Sequence, residues 1–266
     1  MFGDEEAWRL FPLGGERAGR RSYGERLQEE LGFTPVTIRY NTGLRVSHNG
    51  RELAGLLDDL ISGWPTAVEE IVLVGHSMGG LVVRSACHYA EEDRRPWTDA
   101  VRHVFSLGTP HLGAELEKGV SLLSWEFGRL PETRALRSFL NARSVGIKDL
   151  RFGACIDEDW RDCEDPDEFL RDRCTEVPFL PAAHYYFIGA TLAAGPVGSV
   201  LGDLLVRIPS ASGRGRGRRV PFEVDNGHEL TGLTHFDLLN HTALYQQMRA
   251  WIMRESTDPR LLPTAT

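Results

Sequence analysis

The residues with the clearest capacity for chemistry lie in Gly75-His76-Ser77-Met78-Gly79, a serine held between two glycines in the pattern G-x-S-x-G. A serine hydroxyl is too weak an acid to attack a carbonyl alone. It needs an imidazole within hydrogen-bond reach to take its proton, and a carboxylate to fix that ring's tautomer and stabilise its charged form. With both, Ser77 is a candidate nucleophile for acyl chemistry. The N–H of Met78, at the start of the helix expected next, is a candidate oxyanion donor backed by the positive end of the helix dipole.

Where a serine in this kind of turn works with two partners, they follow it in the chain as acid, then histidine, each on a loop after a strand. Of nine histidines, His184, His228, His235 and His241 come late enough. His184 begins a strand-like run, His228 lies in a polar loop, and His241 adjoins the last helix, where capping or packing is its expected part. His235, in "GLTHFDLLNH", occupies the loop between the last strand and the last helix and is the expected base. The loop after "HYYFIGATL" holds one carboxylate before the next strand, Asp203 in "GDLLVRIPSASG", which is the expected acid. Asp225 and Glu229 fall too near His235 for that order, and Asp237 reads as a solvated or helix-capping residue.

These side chains need a frame. Ile71 to Val74 is a continuous apolar run, expected as a strand buried on both faces, and from Leu81 apolar residues recur at helical spacing as far as Tyr89. Strand, sharp turn and helix together would hold Ser77 in a strained backbone conformation at the sheet edge. "SYGERLQEELG" is expected as a short helix with Tyr23, Leu27 and Leu31 four apart and a glycine stop. "TPVTIRY", "VRHVFSLG", "HYYFIGATL" and "RVPFEVDNG" read as strands. "RELAGLLDDLISGWP" reads as a helix with Leu53, Leu56, Leu57, Leu60 and Ile61 on one face, and "HTALYQQMRAWIMRE" as a closing helix with Leu244, Met248, Trp251 and Ile252 inward. Alternating strand and helix types imply an α/β fold, a mainly parallel sheet with helices on both faces, expected here as one domain over residues 1–266. Between about Gly113 and Pro181 the sequence is helical or irregular, an insertion over the carboxyl edge. Its Leu122, Leu123, Trp125 and Phe127 either pack on the body or line an acyl pocket beneath a lid.

The formal net charge of −8 argues against a nucleic-acid surface or an anionic membrane as the main partner. The basic run "GRGRGRR", Gly213 to Arg219, reads as a flexible solvated loop. No uninterrupted apolar span reaches the roughly 18 residues a transmembrane helix needs. No charged-then-apolar leader opens the sequence, so the cytoplasm is the favoured compartment. Cys87 is expected as a small buried residue, while Cys155, Cys163 and Cys174 have spacings that match no zinc pattern. The chemistry outlined needs neither metal nor organic cofactor.

Taken together, "VGHSMGGLVVRSA", "LGTPHLGA", "GDLLVRIPSA" and "GLTHFDLLNHTALYQQMRAWI" resemble bacterial lipases and esterases of the α/β-hydrolase superfamily, especially the GPI inositol-deacylase-like hydrolases. The resemblance implies Ser77 as nucleophile, Asp203 as acid and His235 as base, on a lipase or esterase that takes a small-molecule or lipid ester. His111, in "GTPHLG", resembles a position that is structural in many lipases. The resemblance also implies a strand before the serine ending in His-Gly, whose next residue gives a second oxyanion N–H. The sequence has none, and "FGDEEAW" resembles the stretch that follows such a turn, so one or more central strands are expected to be missing. Acyl transfer to an alcohol uses the same trio. A non-catalytic α/β-hydrolase relic, acting as a binding module, is favoured by the missing His-Gly and disfavoured by the intact Ser77, Asp203 and His235.

Overall fold

Among the described residues four short strands pair in the order in which the chain makes them: β1 (Ile71–His76), β2 (Val101–Leu107), β3 (His184–Thr191) and β4 (Gly227–Thr231), every pairing parallel. The computed structural model describes residues 8–9, 21–113, 145–161, 174–192, 203, 206–215 and 218–256. In register, His76 lies opposite Leu107, Leu107 opposite Ile188, and Thr191 opposite Thr231. The loops that leave β1, β3 and β4 therefore start from one edge, the carboxyl edge, where open parallel sheets place their sites.

Among the described residues the helices of eight or more residues are α1 (Tyr23–Leu31), α2 (Val46–Ser62), α3 (Met78–Glu92), α4 (Val145–Phe152) and α5 (Thr242–Ser256). By its contacts the chain forms two compact units, one of Met1–Gly3 with Arg39–His235 and one of Asp4–Ile38 with Phe236–Thr266. The first contains the sheet. Its β2 and β3 are buried almost throughout, which is why "VRHVFSL" and "HYYFIGAT" show little polar alternation. Ala54 and Leu57 of α2, Val83 and Ala86 of α3, Trp97 and Phe187 share one core, and the Trp97 indole N–H donates to the Ala54 carbonyl at 3.2 Å. A second cluster joins Val46, Met78, Leu81 and Val82 to Leu150 of α4.

In the second unit, Ser22 and Glu25 form a reciprocal capping box at the start of α1, and Gly32 ends it in the left-handed region. The Tyr23 ring stacks on Tyr245 of α5, and its hydroxyl donates to the Leu238 carbonyl at 3.0 Å and accepts the His241 N–H at 2.7 Å. Leu244, Met248, Trp251 and Ile252 are all buried, as their spacing requires.

Several expectations are corrected. "TPVTIRY" forms no strand. Ile71 to Val74 is only half-buried, because among the described residues β1 pairs on one side alone, with β2. Leu56 is 46% exposed, and α2 turns Leu53, Ala54, Leu57, Leu60 and Ile61 to the core instead. "RVPFEVDNG" buries Val220 and Phe222 between exposed neighbours, the alternation of a half-buried strand, yet the fourth strand is the polar "GHELT" just after it, so His228 lies in a strand and not in a loop. The run "GRGRGRR" is not simply solvated: Arg214 and Arg219 pair in an isolated antiparallel bridge, and Arg218 turns inward to donate to the carbonyls of His111 and Gly153. Leu122, Leu123, Trp125, Phe127 and Cys163 lie outside the described residues.

Candidate active site

β1 ends at His76 and α3 begins at Met78, leaving Ser77 alone to turn the chain. Its φ of 54° and ψ of −125° lie where few L-residues settle. Two hydrogen bonds hold it there: Ser77 N–H donates to the Leu107 carbonyl at the end of β2 (2.9 Å), and the Ser77 carbonyl accepts from Gly80 N–H (3.1 Å). Gly75 and Gly80 are required by contact. A Cβ on Gly75 would lie 2.5 Å from the Gly80 nitrogen, and one on Gly80 would meet the Thr109 side chain well inside van der Waals distance. Met78 is the first residue of α3, so its N–H has no acceptor within the helix, and its buried side chain fixes it in place.

Asp203 follows β3 and His235 follows β4. Both are buried, 1% and 2% exposed, and the Asp203 Oδ2 lies 2.7 Å from His235 Nδ1. The second carboxylate oxygen accepts Val206 N–H at 2.7 Å, which fixes the plane of the group. The backbones are tied as well, His235 N–H donating to the Asp203 carbonyl at 3.2 Å. A carboxylate on Nδ1 selects the tautomer with hydrogen there and a lone pair on Nε2.

His76, which touches Ser77 through the chain, also touches His235: its Nε2 lies 2.9 Å from the His235 carbonyl, and the ring centroids are 4.6 Å apart. Burial, with His235 as a neighbour, pushes the His76 imidazole down to about 3. It is therefore a neutral ring donating Nε2–H. The sequence reading passed over His76, although its place between Gly75 and Ser77 at a strand end was the available signal.

The structure thus brings Asp203 and His235 together and sets His235 against the residue before Ser77. The other candidates fall elsewhere. The His184 ring lies among the His103 and Tyr186 rings on β2 and β3, His228 pairs with Ile188, and the His241 N–H serves the Tyr23 hydroxyl. Asp225 and Glu229 are exposed, whereas Asp237 is buried at the start of a 3-10 turn and not solvated. His111 is fully buried, its Nδ1 facing Arg84 Nη1 at 3.2 Å. Burial, with Arg84 and Arg218 nearby, holds it well below the ordinary imidazole range, which suits a structural part. Burial also pushes the Cys87 and Cys174 thiols up to about 12, far from nucleophilic use. Among the described residues no group of three or more His, Cys, Asp or Glu is placed to hold a metal, and no helix is long and apolar enough to cross a membrane.

Residues 21–165 match the family model described as "PGAP1-like alpha/beta domain". No curated protein matches the chain. Among solved structures, the chain is similar to the mature lipase BlEst2 of Bacillus licheniformis, with 18% identity, a TM-score of 0.49, and coverage of 83% of this chain and 78% of that one. It is also similar to a thermophilic esterase (16%, TM-score 0.44, 82% and 75%) and to a serine-to-alanine mutant of YbtT, the type II thioesterase of a yersiniabactin biosynthetic pathway (15%, TM-score 0.41, 79% and 72%).

Proposed function

The chain belongs to the PGAP1-like alpha/beta domain family and has the α/β-hydrolase fold, and on that premise we propose that it is a serine carboxylic-ester hydrolase working through an acyl-enzyme. One observation carries the reading: a buried carboxylate–imidazole pair at 2.7 Å, Asp203 with His235, whose histidine is tied to the residue next to a serine in a strained turn. A buried ion-pairing couple of this kind is costly to maintain. It has a use if an imidazolium forms on His235 during turnover.

In the proposed reaction His235 Nε2 takes the Ser77 proton as Oγ bonds to the ester carbonyl carbon, and Met78 N–H receives the carbonyl oxygen as it becomes an oxyanion. The tetrahedral adduct collapses, the bond to the alkoxy group breaks, and His235 returns the proton to the departing alcohol. Water then repeats the sequence on the acyl-enzyme, releasing the acid and restoring Ser77. Asp203 keeps the ring in one tautomer and stabilises its charge. The apolar residues of the insertion, Leu122, Leu123, Trp125 and Phe127, argue for an ester with a hydrophobic acyl part.

Hydrolysis of p-nitrophenyl esters graded from acetate to palmitate tests this. Wild type should turn over, with a preference for acyl groups longer than acetate, and Ser77→Ala should lose about 10⁴-fold or more in kcat. A folded wild type no faster than Ser77→Ala would sink the reading and leave the binding-module alternative.

A further inference from the structure

We propose that His76 is a positioning residue for the base: its Nε2–H, on the carbonyl of His235, sets the distance between the His235 imidazole and Ser77. The proposal rests on the roles given above to Ser77, Asp203 and His235.

A carbonyl oxygen only accepts, so the 2.9 Å contact requires hydrogen on His76 Nε2. His235 is also held from the Asp203 side, through its N–H to the Asp203 carbonyl and its Nδ1 to the carboxylate. Those two bonds orient the ring but do not refer it to Ser77. The His76 bond supplies that reference, because residue 76 is covalently next to the serine and is itself in β1, pinned to β2 in register with Leu107. Serine and base are thereby linked through one side chain and one hydrogen bond, and proton transfer between them is steep in distance: a misplacement of about 1 Å costs on the order of 10²-fold. The ring must also stay uncharged, since a second imidazolium 4.6 Å from His235 would oppose the one that forms there during acylation. Its burial keeps it neutral.

The experiment compares shape with donor. His76→Phe keeps an aromatic ring and removes the N–H, whereas His76→Gln loses the ring and keeps an N–H at a similar reach. His76→Phe should lower kcat by roughly 10²-fold with KM within about twofold, and His76→Gln should recover at least about tenfold of that loss. In a His235→Ala background, His76→Phe should change the residual rate of Ser77 labelling by a fluorophosphonate less than about twofold, since the residue acts through the base. If the Phe variant does not fold, His76→Met, which matches Gln in shape without the donor, replaces it against His76→Gln. Wild-type kcat in the Phe or Met variant, or equal losses in donor and non-donor variants, would overturn the inference while leaving the hydrolase reading intact. Absence of Ser77-dependent turnover in wild type would overturn both.

Discussion

Adding one methyl group at Gly75 should do more damage than adding the same group at Gly79, four residues along the same turn. On Gly75 the new Cβ would lie 2.5 Å from the Gly80 nitrogen and 2.6 Å from both Gly79 C and Gly80 Cα. All three are backbone atoms of the first turn of α3, so no side chain can swing aside. To reach ordinary contact near 3.4 Å the helix start must retreat by about 0.9 Å. Overpacking of this kind costs about 1–3 kcal/mol, and three backbone contacts at once place Gly75→Ala near the upper figure. On Gly79 the nearest atom to the new Cβ is the Tyr40 hydroxyl at 3.7 Å, an ordinary contact. There, alanine's better helix propensity makes the change neutral to stabilising by up to about 1 kcal/mol. Urea unfolding followed by circular dichroism separates the two. Gly75→Ala should lower the midpoint by roughly 1–2 M for a slope near 2 kcal/mol/M, and Gly79→Ala should hold or raise it. The same 0.9 Å shift carries Met78 N–H with it, so turnover in Gly75→Ala should fall about 10²-fold. Equal midpoints for the two variants would refute the account of why the turn needs its first glycine.

Two further outcomes follow from buried polar groups. Tyr23→Phe removes a hydroxyl that serves both the Leu238 carbonyl and the His241 N–H, leaving two backbone groups without that partner, and should destabilise the protein by about 2–4 kcal/mol in chemical denaturation; a loss under about 0.5 kcal/mol would show that these groups find other partners. Asp149 caps α2 by accepting Val46 N–H at 2.6 Å and Arg45 at 3.0 Å, yet burial outweighs both and pushes its carboxyl from 3.8 up to about 7. An acid whose pKa is raised on folding favours the native state most when protonated, so this contribution is full below about pH 4, falls as pH rises towards 7, and is flat above. The change approaches about 4 kcal/mol as an upper figure. Thermal or urea melts of wild type minus Asp149→Asn from about pH 4 to 8 should show that decline, and a flat or rising difference would contradict it.

What the sequence revealed depended on whether the signal was local. Ser77 was legible because its turn is specified by adjacent residues, and α1 because Ser22, Glu25 and Gly32 mark both its ends within the chain. Asp203 and His235 emerged from their order along the chain, with their contact supplied by the parallel ladder that brings the ends of β3 and β4 side by side. The start of α2 was missed because its cap, Asp149, is remote in sequence: Arg45 offers no side-chain cap, so nothing nearby announced Val46. β4 was missed because "GHELT" has a single aliphatic residue and takes its strand form from pairing with β3, while Val220 and Phe222 alternate as a strand would without a ladder to join. Arg218 looked solvated because a basic run carries no mark of the buried carbonyls at His111 and Gly153 that it serves. His76 illustrates the same limit at the site, since its partner is the backbone of a residue far along the chain.

The most direct test of the central claim is covalent: treatment of the folded protein with a fluorophosphonate, followed by peptide mapping, in wild type, Ser77→Ala and Asp203→Asn. An activated serine should be modified at Ser77 alone. Ser77→Ala should take no label, and Asp203→Asn should label about 10⁴-fold more slowly because His235 loses its preferred tautomer. Wild type without label at Ser77, or label that persists in Ser77→Ala, would contradict the assignment of Ser77, Asp203 and His235 as one catalytic unit.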